Sequence, residues 1–183
     1  MSYETMPENL PPPIDDGACN HLIGMKLPSI DLLATDGSTV NLSFKSNKVV
    51  IYCYPMTGQP GVPLPQNWDE IPGARGCTPQ TCSYRDHHSE LSNLGVDIFG
   101  LNAQTTEYQQ EMANRLHLPF LVLSDAKFEF CEAMRLPTFN VEQMRLIKRV
   151  TMIVEDGIIK NVHYPVFPSD SDALWVLNCL SAH

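Results

Sequence analysis

Residues 48–55, KVVIYCYP, read as a central strand of a buried sheet. Val49, Val50, Ile51, Tyr52 and Tyr54 are β-branched or aromatic, the types that fit a packed, pleated surface. Pro55 ends the run because it has no N–H to give a ladder. Upstream, SIDLLATDGSTVNLS (29–43) sets two short apolar segments around Asp36-Gly37, which signals a hairpin. Downstream, residues 56–76 hold almost no periodic structure and form a long loop of the kind that is usually functional or disordered. A helix follows from Thr78, with Tyr84, His88, Leu91 and Leu94 at three- and four-residue spacing and Gly95 as its stop.

The remaining segments alternate in type. VDIFGLN (96–102) is a strand, and TTEYQQEMANRLH (105–117) is a helix with Tyr108, Met112 and Leu116 on one face. FLVLSD (120–125) is a strand, and Ser124 or Asp125 caps a short helix in AKFEFCEAMR (126–135). VTMIVEDGIIKNVHY (150–164) is a hairpin turning at Asp156-Gly157, and SDSDALWVLNCL (169–180) is a helix whose acidic, serine-rich start suits its dipole. This order specifies an α/β fold with a central mixed β-sheet flanked by helices and an N-terminal hairpin. A thioredoxin-like sheet fits it.

The chain has 183 residues, 43% of them hydrophobic, with 12 basic and 21 acidic side chains and a formal net charge of −9. That length suits one domain, read here as residues 28–183 preceded by a Pro-rich arm, residues 1–27, mobile in its first few positions. The acidic balance argues against nucleic acid, whose phosphates demand clustered Lys and Arg. The first residues lack the basic and apolar regions of a secretory signal, and no apolar run is long enough to span a membrane. A cytoplasmic setting follows as the expectation, and there most thiols stay reduced. A close Cys pair in that setting is more often catalytic or metal-binding than structural.

That pair lies in GARGCTPQTCSYRD (73–86), at the far end of a stretch holding six of the 15 prolines. Cys77 falls at the junction of loop and helix, where unpaired backbone N–H groups and the positive dipole end favour thiolate, the nucleophilic form. Arg75 and Arg85 add positive potential. Cys82 lies five residues on, ~7.5 Å along an unbroken helix and ~140° around it. A disulfide needs Cα atoms within ~7 Å, so the pair can bond only if the first turn unwinds. Pro79 sits in that turn without cost. Spacing alone leaves three readings open: redox chemistry, passive packing and metal binding. A zinc site would use Cys77, Cys82, His87 and His88, but adjacent histidines on a helix point ~100° apart. A thioredoxin-type exchanger wants Cys-x-x-Cys, and four residues intervene here.

GCTPQTCSYRD (76–86), preceded by a strand ending Tyr54-Pro55, resembles the active-site segment of peroxiredoxins, closest to the bacterioferritin comigratory protein or peroxiredoxin Q type. IKRVTMIVEDG (147–157) resembles that family's Arg-bearing strand, and the likeness runs from about residue 30 to about residue 163. The resemblance implies a thiol-dependent peroxidase acting on hydrogen peroxide and organic hydroperoxides, with no cofactor and no metal. Cys77 would be the peroxidatic thiolate, Cys82 the resolving thiol and Arg149 the guanidinium that stabilises thiolate and peroxide. The sulfenic acid on Cys77 would become a Cys77–Cys82 disulfide, reduced by thioredoxin or a similar dithiol. The family's loop carries a hydroxyl three residues before the Cys, where this chain has Ala74. Pro55 and Thr57 would take the places of the family's Pro and hydroxyl, with residues about 58–75 inserted between them and the Cys and folded over the site.

Two other functions compete: a thiol–disulfide reductase or sensor, and a non-catalytic interaction module of the same fold. Arg149 favours the peroxidase over the reductase, since only a peroxide needs an anion-stabilising guanidinium. Cys53 reads as core, and Cys19, Cys131 and Cys179 as packed or exposed, with a resolving thiol as the minor alternative for Cys131. His87 and His88 read as surface or half-buried groups, Trp68 as a loop anchor or substrate entrance, and His163, Tyr164 and Phe167 as packing or a subunit contact. The assembly would be a monomer or homodimer, with no membrane or nucleic-acid partner.

Overall fold

The strand β3 (Lys48–Cys53) runs inside a seven-stranded sheet, bonded in parallel to β4 (Val96–Asn102) and antiparallel to β8 (Val150–Glu155). The computed structural model describes residues 3–182; Met1 and Ser2, part of the stretch expected to be mobile, lie outside the described residues. Around β3 the sheet order is β2-β1-β5-β4-β3-β8-β9, with β1 (Asp31–Ala34), β2 (Thr39–Asn41), β5 (Leu121–Ser124) and β9 (Ile158–His163). Parallel pairing of β3, β4 and β5 beside antiparallel edges makes the sheet mixed, as expected. The N-terminal hairpin β1–β2 and the β8–β9 hairpin both form, and each turn places a glycine, Gly37 or Gly157, at positive φ.

Helices cover the sheet: α1 (Cys77–Asp86), α2 (His88–Asn93), α3 (Thr106–Arg115), α4 (Glu129–Ala133) and α5 (Asp172–Ser181). The alternation of β3 divides the core in two. Val49, Ile51 and Cys53 pack with Leu32, Leu101, Phe130 and Met152, whereas Val50, Tyr52, Cys77, Tyr84, Met112 and Val176 fill the other face. On that second face Tyr52 stacks on Tyr84, ring centroids 4.5 Å apart, and donates to Thr81 Oγ1 at 3.2 Å.

The structure differs from these expectations in three places. The helix expected from Thr78 to Leu94 breaks at His87 into α1 and α2; His87 leaves helical geometry, and its ring meets Glu90 at 2.8 Å. The short helix is confined to Glu129–Ala133, and Asp125 anchors it from a distance by accepting the N–H groups of Phe130 and Cys131 at 3.0 and 2.8 Å. The third is an unforeseen hairpin, β6 (Thr138–Val141) with β7 (Met144–Ile147). Its turn runs through Glu142 at φ 52°, without the Gly or Asn that marks such turns in sequence.

That hairpin is the platform for the proline-rich segment. Trp68 and Ala74 bury against Val141 and Leu146, with Leu64, Ile71 and Phe139 around them. Trp68 is thus a loop anchor, its six-membered neighbour Phe139 lying 6.2 Å away between centroids.

Gly100 pairs with Tyr52 across β3–β4, and a Cβ there would fall 2.8 Å from the Tyr52 hydroxyl. Tyr52 is fully buried and clamped by its stacked neighbours, so it has nowhere to retreat. Gly100→Ala is expected to cost ~1–3 kcal/mol by overpacking. Thermal melts should show this as a lower Tm, by ~2–4 °C per kcal/mol for a chain of this size.

Candidate active site

Cys77 opens α1, and the residue before it must be glycine. Gly76 has φ 111°, and a Cβ there would collide with Ser169 Oγ and lie 2.7 Å from Met6 Sδ. Its carbonyl accepts from Ser169 Oγ at 2.7 Å and from the Gln80 N–H at 3.1 Å, which starts the helix. The Cys77 side chain is buried, 4% exposed, yet it borders a narrow crevice walled by Tyr3, Met56, Leu64 and Trp68. The crevice has room for about one water molecule at most. Tyr3 donates to the Val62 carbonyl at 3.3 Å, and Arg75 lies over its ring while pairing with Asp69 at 2.8 Å.

Arg149, on the residue before β8, is also 4% exposed, and its Nη2 lies 3.3 Å from Cys77 Sγ. The same nitrogen reaches the carbonyls of Gly73, Ala74 and Arg75 at 3.3, 3.0 and 3.3 Å. Nη1 donates to Gln80 Oε1 at 2.5 Å, and Nε has no partner among the described residues. The last turn of the proline-rich segment therefore forms a cradle of carbonyls that holds the guanidinium beside the sulfur. Gln80 in turn donates to Asp172 at 2.8 Å.

The structure brings Arg149 to Cys77, and Cys82 stands a turn and a half further along an intact α1. Both cysteines are free thiols, and burial pushes the Cys82 thiol up. Pro55 ends β3 and is buried. Thr57 is fully buried; its N–H donates to Gln104 Oε1 at 2.7 Å, and its hydroxyl lies 3.2 Å from Met112 Sδ and 3.4 Å from the Tyr54 hydroxyl. No hydrogen bond joins Thr57 to the Cys77 sulfur among the described residues; its neighbours Met56 and Gly58 line the crevice instead.

Other candidates fall away from the site. Cys19, Cys53 and Cys131 are buried in the core on the opposite face of the sheet, so Cys131 is separated from Cys77 by the sheet itself. His87 meets Glu90, and the His88 ring stacks beside Phe120, so both rings are engaged away from the cysteine pair. His163 bonds Asp172 and stacks on Trp175, and Tyr164 donates to Asp16 at 2.8 Å. Sequence reasoning missed Gln80 and Asp172. Gln80 lies one helical turn after Cys77, a spacing that could have flagged it, whereas nothing local ties Asp172 to the site.

Residues 22–177 match the family described as Redoxin. The chain is 30% identical over 161 residues to Peroxiredoxin Bcp of Escherichia coli, covering 85% of this chain and 93% of that protein. It is a peroxiredoxin of the Bcp/peroxiredoxin Q type. Peroxiredoxin Bcp of Bacillus subtilis is 29% identical over 140 residues, 74% of this chain and 80% of that one. Among solved structures, BcpB of Mycobacterium tuberculosis superposes with a TM-score of 0.71 at 21% identity, covering 87% of this chain and 96% of that chain. Peroxiredoxin Q of Xanthomonas campestris gives 0.70 at 21% identity, with 87% and 96% covered. The fold is thioredoxin-like, and the protein is a thiol-dependent peroxidase. No helix among the described residues is long and apolar enough to cross a membrane.

The thiols remote from the site bear on the alkaline stability of this peroxiredoxin. Burial pushes Cys19 up to about 12 and Cys131 up to about 11, and holds Cys53 well above the ordinary thiol value of 9.0. A group whose value is raised on folding favours the neutral form in the native state. Its contribution is present in full below the unfolded value and lost as pH rises toward the folded one. Thermal melts should therefore hold steady up to about pH 9 and fall between about pH 9 and 12. Replacing Cys19 and Cys131 by Ala should lessen that fall, the remainder coming from Cys53 and from Tyr52, Tyr54 and Tyr84, which burial also pushes up.

Proposed function

We propose that this peroxiredoxin reduces hydrogen peroxide and organic hydroperoxides at Cys77, with Arg149 as its anion-stabilising partner and Cys82 as the resolving thiol. The single observation carrying the reading is the Nη2 of Arg149 at 3.3 Å from Cys77 Sγ, both groups buried. The thiolate attacks one peroxide oxygen; the O–O bond breaks, and the departing alkoxide or hydroxide takes a proton. Negative charge grows on that oxygen in the transition state, where a fixed guanidinium and the N–H groups at the start of α1 act as they would in an oxyanion hole. The Nε–H of Arg149, buried without a partner among the described residues, is a donor left over for such an oxygen.

Cys82 then attacks the sulfenic acid on Cys77, expelling water and forming the Cys77–Cys82 disulfide. The first turn of α1 must open for this, and Pro79 at its third position contributes no N–H to the helix ladder there. Burial keeps Cys82 protonated while α1 is closed, so resolution waits on that opening. An external dithiol, thioredoxin or a similar protein, returns both thiols, and a reducing cytoplasm suits the cycle. We assign to Thr57 the hydroxyl that meets the peroxide and to Pro55 the wall behind it; in the structure that hydroxyl rests against Met112 and Tyr54. In this layout residues 1–27 are an arm, residues 28–183 the catalytic domain and residues about 58–75 an insertion that completes the site. The domain would work as a monomer or a homodimer.

Stopped-flow mixing with one equivalent of hydrogen peroxide, followed by mass analysis, tests the reading. Wild type should lose two thiols as a Cys77–Cys82 disulfide, and Cys82→Ser should stop at a sulfenic acid on Cys77. Identical behaviour after Cys77→Ser would refute it. In the same assay Arg149→Ala should slow oxidation ~10²–10³-fold, the usual cost of losing a transition-state donor. Survival of the rate within about threefold would remove Arg149 from the mechanism.

A further inference from the structure

Behind Arg149 lies a buried polar cluster that peroxide chemistry does not itself require. Asp172, the first residue of α5, is fully buried and collects side chains from three other elements. Its Oδ2 accepts from Gln80 Nε2 at 2.8 Å and the Tyr84 hydroxyl at 2.8 Å, both on α1, and from Thr151 Oγ1 on β8 at 2.6 Å. His163 Nδ1 on β9 lies 2.7 Å from Oδ1, and that ring is braced by Trp175, 4.5 Å between centroids, one turn along α5. Thr151 and His163 are themselves cross-strand partners.

Of these residues only Gln80 reaches the active site. Its amide has two chemically different ends, and the cluster decides which one faces Arg149. The carbonyl oxygen accepts from Arg149 Nη1, while the NH₂ donates to Asp172. Turning the amide over would set N–H groups against the guanidinium and an oxygen against the carboxylate, two like-with-like contacts in a buried space. The Asp172 acceptor on one side and the Arg149 donor on the other thus hold the amide in the orientation seen. The guanidinium is planar, so holding Nη1 on Gln80 and Nη2 on the carbonyls of residues 73–75 fixes its plane and aims Nη2 at the sulfur. Without Gln80 in this orientation, Nη1 would become a buried donor with no acceptor.

We propose that Asp172 is a positioning residue for the peroxidatic site: acting through Gln80, it holds the Arg149 guanidinium against the Cys77 sulfur. The proposal rests on the reading of Arg149 as the partner of Cys77. Asp172 touches neither substrate nor sulfur. It links the start of the last helix to the first turn of α1.

Five variants and two readouts test it: the rate of Cys77 oxidation by hydrogen peroxide, and the pH profile of Cys77 alkylation by iodoacetamide. Asp172→Asn keeps an oxygen for Gln80, Tyr84 and Thr151 and offers an N–H to His163, so it should stay within about threefold of wild type in rate with an unshifted profile. Asp172→Ala removes the acceptor and should lower the rate ~10-fold or more, as loss of outer-shell partners typically does. Its alkylation profile should move to higher pH. Gln80→Met cuts the same chain at its middle link with nearly equal volume, and should match Asp172→Ala; it decides the matter if Asp172→Ala fails to fold. Gln80→Glu sets two carboxylates face to face and should also be slow, and adding Asp172→Asn to it should restore most of the rate by supplying the missing donor. A merely structural role would lower Tm in these variants and leave both readouts alone. The proposal is overturned if folded Asp172→Ala or Gln80→Met reacts within twofold of wild type with an unchanged profile, or if Asp172→Asn falls as far as Asp172→Ala. The alkylation profile does not depend on peroxide turnover, so it decides the positioning role separately from the peroxidase reading.

Discussion

The contact between Arg149 and Cys77 is the constraint around which the rest of the molecule is arranged. A guanidinium cannot shed its proton inside a protein, so burying one demands acceptors on nearly every side. Three backbone carbonyls, one side-chain amide and one sulfur supply them. The carbonyls come from residues 73–75 at the end of the proline-rich segment, and the amide and sulfur from the first turn of α1. Losing the Gln80 oxygen would leave Nη1 a buried donor without an acceptor, at ~1–3 kcal/mol or more for a charged group. The site and the stability of its surroundings are therefore the same set of bonds.

This gives the proline-rich segment a physical role beyond covering the crevice. Residues 73–75 turn their carbonyls onto Arg149, which they can do only if the segment before them is held still. Trp68, Leu64 and Ile71 hold it by packing on the β6–β7 hairpin, so a small separate core supports the cradle. Arg75, paired with Asp69 and lying over Tyr3, ties the same segment to the N-terminal arm. The crevice over Cys77 is narrow because arm and segment meet above it.

Much of this was legible in the chain. The alternation in KVVIYCYP, the Asp-Gly turns and the helical spacing around Met112 gave the layers and their order, because period and turn chemistry are local properties. Cys77, Cys82 and Arg149 stood out by their motifs. The β6–β7 hairpin did not, since its turn uses Glu142 at positive φ with no residue that favours that conformation. The break at His87 was equally hidden: the apolar spacing continues across it, and only the folded backbone shows that α1 ends there and α2 begins. The direction of the Thr57 hydroxyl, toward Met112 and Tyr54, was hidden too, because it depends on where α3 packs on the sheet, against β5.

By itself the sequence singled out Cys77, Cys82, Arg149 and the alternating sheet, all of which stand out by residue type and by spacing along the chain. Only the tertiary structure decided what Arg149 leans on. Gln80 and Asp172 are 92 residues apart, and Arg149 and Gln80 are 69 apart. Asp172 looks in sequence like an ordinary acidic start to a helix. Its burial, and its command over which end of Gln80 faces the guanidinium, exist only once α5, α1, β8 and β9 close around it. Hydrogen bonds between side chains so distant in sequence are set by how the layers pack, and no local pattern encodes them.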